Sequence, residues 1–325
     1  MTDQEVYQRF IEWLRKAWWG LPESAHLMPA VSTMYTPGEA ALLTGIPFSG
    51  KDVRDLAEMK EMDPDELDSK LRALARKGLI WRSPKGGTAR YKLNDSFFAF
   101  LRGEFWAENP SEAAKATARP LNKYFFDGFM DQFAQAHTKG LRAIPIDKTV
   151  QDPRVILPYE DVVKYVDSQD YCTVSICPCR HRKKLDPDSP DCEHPMETCL
   201  HFGTLGHYIV DNGLGREITK DETYDILKMS ADSGLVHALS NWQIGADTIC
   251  NCCKCCCLFM EAYHVLKHDK SIDASNYRVR INPGTCKACG LCVERCPMDA
   301  LTLDDCAEAD NKTGQAPVLD PDKCL

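Results

Sequence analysis

The first 171 residues of this 325-residue chain contain no cysteine, although the whole chain has 17. No apolar run approaches the ~20 residues that a membrane-spanning helix needs, so no membrane segment is expected. No Walker A loop, Gly-x-Gly-x-x-Gly or Gly-x-Ser-x-Gly sequence occurs, which removes the common phosphate-binding, dinucleotide-binding and serine-hydrolase readings. No acid–base pair or nucleophile triad stands out, so a stand-alone enzyme is not the first expectation. A basic excess is also missing: 39 Lys and Arg face 48 Asp and Glu, a formal charge of −9. That balance argues against a nucleic-acid protein. The opening residues, Met-Thr-Asp-Gln-Glu, form no basic leader. Disulfides explain the cysteines poorly, because their number is odd and several are adjacent in sequence. A reducing cytoplasm is therefore expected, where clustered cysteines are metal ligands. So many thiols suit anaerobic metabolism or a protected site, since exposed thiolates and clusters oxidise.

The cysteines fall into three groups. The last is Cys286-x2-Cys289-x2-Cys292-x3-Cys296-Pro297. This spacing resembles the first half of a two-cluster bacterial-type ferredoxin, whose thiolates hold [4Fe–4S] clusters that move electrons. Gly290 lets the backbone approach an inorganic core closely. A zinc site fits the motif less well, because zinc usually takes two separated Cys-x2-Cys hooks. The resemblance implies that Cys286, Cys289 and Cys292 hold one cluster and that Cys296 belongs to a second. Leu319-Asp-Pro-Asp-Lys-Cys324 echoes Ile281-Asn-Pro-Gly-Thr-Cys286, so Cys324 is expected to open a second motif continuing past Leu325. For a chain that ends at Leu325, Cys306 becomes the substitute ligand.

The other two groups have no such precedent. Cys177-Pro-Cys179, Cys192 and Cys199 form one expected ligand set. Arg180-His-Arg-Lys-Lys184 follows at once, and cations there lower thiol pKa and raise cluster potential. His181, His194 and His201 are expected to be structural rather than ligands. The run Cys250-Asn-Cys252-Cys253-Lys-Cys255-Cys256-Cys257 points its thiols all round a helix and to both faces of a strand, so it must wrap around something. Cys252, Cys253, Cys255 and Cys256 are its expected ligands. The two groups hold either a [4Fe–4S] cluster each or one larger, non-cubane cluster between them. Cys172 is expected to be a buried thiol.

Upstream, Val6, Phe10, Ile11, Leu14 and Trp18 predict an amphipathic helix over 3–19. Helices opening at Thr36-Pro37 and Asp63-Pro64 flank another over Val53–Met59, and Pro84-Lys-Gly-Gly87 turns a two-stranded ribbon. Three helices and a ribbon resemble a winged helix, with Leu71–Ile80 similar to its recognition helix and first wing strand. In that family the N-terminal end of the helix reads bases. Here it carries Asp63, Asp65, Glu66 and Asp68. Residues 1–110 hold 15 Lys and Arg against 16 Asp and Glu, so protein contact or a structural role is expected ahead of DNA.

The expected architecture is α+β and multidomain. A winged-helix-like domain (1–110) is followed by a helical connector and linker (111–157), a cysteine-rich α/β iron–sulfur domain (158–275) and a ferredoxin-like module (276–325, incomplete). The expected function is electron transfer through two or more clusters, as a redox subunit of an anaerobic oxidoreductase system, with a redox protein partner at the ferredoxin module. The alternatives are a redox-sensing regulator and a reductase with an open-site cluster.

Overall fold

The computed structural model describes residues 1–16, 20–85, 88–131, 141–144, 162–240, 246–268 and 271–325. Trp18 and residues 132–140 and 145–157 of the expected connector and linker lie outside these residues.

The N-terminal helices begin where their capping residues stand. In α1 (Asp3–Leu14) and α3 (Pro37–Leu43), Thr2 and Thr36 accept the amides of Glu5 and Glu39, whose carboxylates bond back. Between them lies α2 (Leu27–Met34), which the Pro29 in Leu-Met-Pro-Ala hides from a periodicity reading. Then come β1 (Lys51–Asp52), α4 (Val53–Lys60) and α5 (Pro64–Arg76), the last started by Asp63 accepting the amides of Asp65 and Glu66. Leu67, Leu71, Leu74 and Ala75 form the buried face of α5, as their spacing predicts. Strands β2 (Ile80–Lys85) and β3 (Thr88–Leu93) pair antiparallel, and β1 adds to β3, giving the order β1-β3-β2. The added strand is too short to read from sequence.

After α6 (Ser96–Leu101) and a single turn at Gly103–Phe105, α7 (Glu112–Tyr124) packs on α2. It ends in a kinked turn, Phe125–Phe129, where Gly128 takes φ +122°.

Strand β4 (Leu141–Ala143) opens a six-stranded sheet. Then follow α8 (Val162–Asp167), β5 (Cys172–Ile176), α9 (Pro178–Lys184), β6 (Glu197–Phe202), α10 (Gly203–Asp211), β7 (Arg216–Ile218), α11 (Lys220–Asp232), β8 (Val236–Ser240) and β9 (Thr248–Cys252). The order is β4-β8-β9-β6-β5-β7, and every neighbouring pair is antiparallel. This corrects the α/β description of the cysteine-rich segment: its strands are joined without the right-handed crossovers of a parallel sheet, so the unit is α+β. Leu200, His201 and Phe202 finish β6 before α10 begins.

Val174, Leu200, Phe202 and Ile249 on the sheet pack with Val166 of α8 and Ile226 and Leu227 of α11. Trp106 packs with Leu205, Tyr208 and Ile209 of α10. A third and larger cluster runs from Tyr7 and Phe10 through Leu121 and Phe125 to Cys252, Leu258, Met298 and Ala300. The N-terminal helices, the cysteine run and the C-terminal segment thus share one apolar core.

The junction of β2 with α10 is aromatic. Trp81 stacks on Tyr208 at 4.4 Å, and the Tyr208 hydroxyl donates to the Ile80 carbonyl at 3.0 Å. Nearby, Gly78 (φ +74°) and Gly103 approach so closely that a Cβ on Gly78 would sit 2.2 Å from the Gly103 carbonyl oxygen.

The chain closes with α12 (Leu258–His264), a short α13 (Leu291–Arg295) and the hairpin β10 (Leu301–Asp305) with β11 (Gln315–Leu319). No helix among the described residues is long and apolar enough to cross a membrane.

Candidate metal centre

Ten of the thiols converge at one end of the six-stranded sheet because three chain reversals happen there. At the first, β5 ends and α9 begins. Cys177 stands at the N-cap of that helix and Pro178 occupies its first position. Cys179 lies in the first turn. The returning strand β6 carries Cys199 and His201 on one face and Leu200 and Phe202 on the other. Its neighbour β9 carries Cys250 and Cys252, two residues apart and so on one side, with Cys250 against Cys199. The chain then leaves the sheet in a turn closed by the Cys257 amide bonding the Cys253 carbonyl at 3.1 Å, and Cys257 caps α12.

This geometry sorts the thiols into two neighbouring pools. Cys177, Cys179, Cys199, Cys250, Cys252 and Cys257 line a cavity of about 480 Å³, with Arg102, Arg180, Ser240 and Asp247 also in its wall. Cys192, Cys253, Cys255 and Cys256 form the second pool, their sulfurs all within 4.8 Å of one another. Cys253 stands at the border and also lines the cavity. The structure therefore does not bring the four upstream cysteines together as one group. Cys177, Cys179 and Cys199 stay with the sheet ends, while Cys192 rides the long β5–β6 connection over to the second pool. The run divides in the same way, with Cys252 in the cavity and Cys253, Cys255 and Cys256 beside Cys192. Cys250 and Cys257, which are not among the four ligands expected from the run, also line the cavity. The i, i+2 spacing of Cys250 and Cys252 was the available signal for the first.

The electrostatics suit anionic sulfur. Hydrogen bonding from Cys179 pulls the Cys177 thiol down to about 6. Hydrogen bonds from Cys199 and Cys252 hold Cys250 low, and those from Cys192, Cys255 and Cys256 hold Cys253 low. Burial alone would discharge Arg180, but the thiolates of Cys177 and Cys253 outweigh it and raise its pKa. The same contest leaves Arg102 raised, through Cys250, Cys199 and Asp247. Arg180 is buried and donates to the Asn251 carbonyl at 2.9 Å and to the Thr198 hydroxyl. Nothing in the sequence around Arg102 marks it for this role.

His181 Nδ1 donates to the Phe105 carbonyl at 2.9 Å, and His201 Nε2 pairs with the Ser175 hydroxyl at 2.9 Å beside the Trp106 ring. His194 contributes its backbone amide to the Cys192 sulfur. Cys172 is buried in the apolar layer under the sheet.

In the C-terminal segment Ala288 (φ +53°) and Gly290 (φ +76°) both take the left-handed conformation, curling the chain between Cys286 and Cys292. The Ala288 amide points at the Cys286 sulfur at 3.3 Å, and the Ala300 amide points at the Cys296 sulfur at 3.4 Å. Amides aimed at thiolate sulfurs are the bonds that tune an iron–sulfur cluster. Cys289 and Cys292 are exposed. Cys296 and Cys324 both pack against the large core, whereas Cys306 sits at the hairpin, its amide bonding the Gly314 carbonyl at 2.8 Å. The segment docks on the inner site. Lys254, between Cys253 and Cys255, pairs with Asp299 at 3.0 Å, and Arg295 donates to the Ala231 carbonyl at 2.7 Å.

A family profile described as a 4Fe-4S binding domain matches residues 279–302. The chain is also similar to a protein named Ferredoxin-1 from Caulobacter vibrioides, with 41% identity over 56 residues, 17% of this chain and 49% of that protein. The chain thus spans about half the length of that relative. No solved structure matches the chain. Residues 279–302 thus resemble a ferredoxin-type 4Fe-4S binding domain, which supports iron–sulfur binding in the C-terminal segment.

Proposed function

We propose that this chain carries electrons between an external redox protein and an inner iron–sulfur centre, as the redox subunit of a cytoplasmic, anaerobic oxidoreductase system. The single observation that carries the reading is the docking of the two cysteine regions. The Lys254–Asp299 ion pair joins the inner thiol loop to the residues just after Cys296. A cluster on Cys286, Cys289 and Cys292, the last two exposed, meets the partner, with Leu291 and Val279 presenting apolar contact area beside it. Cys296 and Cys324 stand for the second ferredoxin-type cluster, on the side facing the core. Cys177, Cys179, Cys199, Cys250, Cys252 and Cys257 then hold the inner cluster, whose negative charge Arg102 and Arg180 offset.

The N-terminal unit is proposed to be a winged helix, on its helix order and its β1-β3-β2 sheet. Its wing strand turns inward, with Trp81 against Tyr208. The bases on α5 are partly neutralised by Lys70–Glu66 and Arg72–Asp68 pairs, each at 2.6 Å. Both features favour an internal, structural use over DNA. A second reading, a reductase with an open iron site, has one observation in its favour: the inner thiols face a cavity of about 480 Å³ that also offers Arg102, Ser240 and Asp247.

The test is anaerobic stopped-flow reduction by a reduced ferredoxin. In the wild type the ferredoxin-type and inner clusters should reduce in sequence. In Cys292→Ser the inner centre should stay oxidised on that timescale while dithionite still reduces it. Equal inner reduction rates in both chains would overturn the relay.

A further inference from the structure

We infer that Cys192, Cys253, Cys255 and Cys256 hold a single thiophilic divalent ion, zinc or ferrous iron, and not a cluster. The sulfur separations carry the argument. Cys255 to Cys192 is 3.5 Å, Cys256 to Cys255 is 3.7 Å and Cys192 to Cys253 is 4.0 Å, with all four inside 4.8 Å. Four thiolates around one ion, with metal–sulfur bonds of about 2.3 Å, form a tetrahedron with edges of about 3.8 Å. Four thiolates on the corners of a [4Fe–4S] core are wedged apart to roughly 6 Å, because the core itself lies between them. The pool has room for an ion and none for a core.

The chemistry around it agrees. Cys253-x2-Cys256 is the hook spacing of a structural zinc site, and Cys192 arrives from a separate loop to help close the sphere. Cys253 and Cys256 are buried and Cys192 and Cys255 are half-buried, so four thiolates rather than water would complete the sphere. A divalent ion with four thiolates keeps a net charge of about −2. Arg180 Nη1 stands 3.9 Å from the Cys253 sulfur, and the His194 amide donates to Cys192. The ion would tie the β5–β6 connection to the turn after β9. That fixes the wall of the neighbouring cavity and the position of Lys254, on which the ferredoxin segment docks. The inference stands apart from the relay, because it concerns a metal that brings no inorganic sulfide.

The experiment uses the full chain purified anaerobically, with zinc, iron and acid-labile sulfide counted per chain and X-ray absorption measured at the edge of the surplus metal. The expected result is about one zinc or iron beyond the iron matched by sulfide, with four sulfur neighbours and no nearby metal. A Cys192→Ser/Cys255→Ser chain should lose that one metal and keep its sulfide. If that chain does not fold, the wild-type surplus still decides. Iron equal to sulfide with no zinc would overturn the inference. So would a variant that loses about four irons and four sulfides together.

Discussion

Replacing Glu104 by glutamine should stabilise the protein increasingly as pH rises. Glu104 is 4% exposed; one carboxylate oxygen accepts the Ser111 hydroxyl at 3.2 Å and the other has no hydrogen-bond partner. Burial pushes its pKa from 4.5 up to about 8. The folded chain therefore keeps this proton up to about pH 8, while the unfolded chain releases it near 4.5. Between those values the folded state binds more protons, so stability falls as pH rises. The slope is about 1.4 kcal/mol per pH unit, and the accumulated cost at pH 7 is about 3 kcal/mol. Glutamine keeps the shape and has no proton to lose. The assay is urea unfolding of both chains, loaded identically and kept anaerobic, at a series of pH values from 5 to 8. Cofactors and all other titrating groups are common to the pair and cancel in the difference. The stability of Glu104→Gln relative to the wild type should climb steadily across this range. A difference that stays flat, or falls, would refute the reasoning and place an ionised carboxylate in the core.

Other perturbations reach the site and the junction. Arg102→Leu removes a positive charge from the wall of the inner cavity and should lower the inner cluster's potential by about 50–100 mV in an EPR-monitored titration, leaving the ferredoxin-type signal in place. Gly78→Ala forces a Cβ to within 2.2 Å of the Gly103 carbonyl oxygen at a left-handed backbone position. It should cost about 3 kcal/mol or more in urea unfolding. Lys254→Ala breaks the pair with Asp299, which is half-exposed, so stability should change by less than about 1 kcal/mol. Electron transfer from the ferredoxin-type cluster to the inner one should nevertheless slow, which flash reduction would resolve.

What the sequence showed clearly was local. Asp63-Pro64 and Thr36-Pro37 mark their helix starts because a cap and its amide are neighbours in the chain. The Cys286–Cys296 spacing is legible for the same reason, since one short loop supplies it. The inner site was legible as a site and not as an arrangement. Whether Cys192 joins Cys199 or Cys253 depends on where a long connection carries it, and strand pairing between β6 and β9 sets that over some fifty residues of intervening chain. Arg102 reaches the thiols from outside their segment altogether, so no spacing rule could find it. The antiparallel sheet is hard to read from the sequence because β4 and β7 are three residues each, too short to show alternation.

The most direct test of the account is EPR of the dithionite-reduced full-length chain, prepared anaerobically, with spins and iron quantified per chain. The relay predicts at least two reduced clusters per chain, with signals broadened by their mutual interaction, and about eight irons or more. A single unperturbed signal with about four irons or fewer would mean that the inner thiols hold no cluster, and would contradict it.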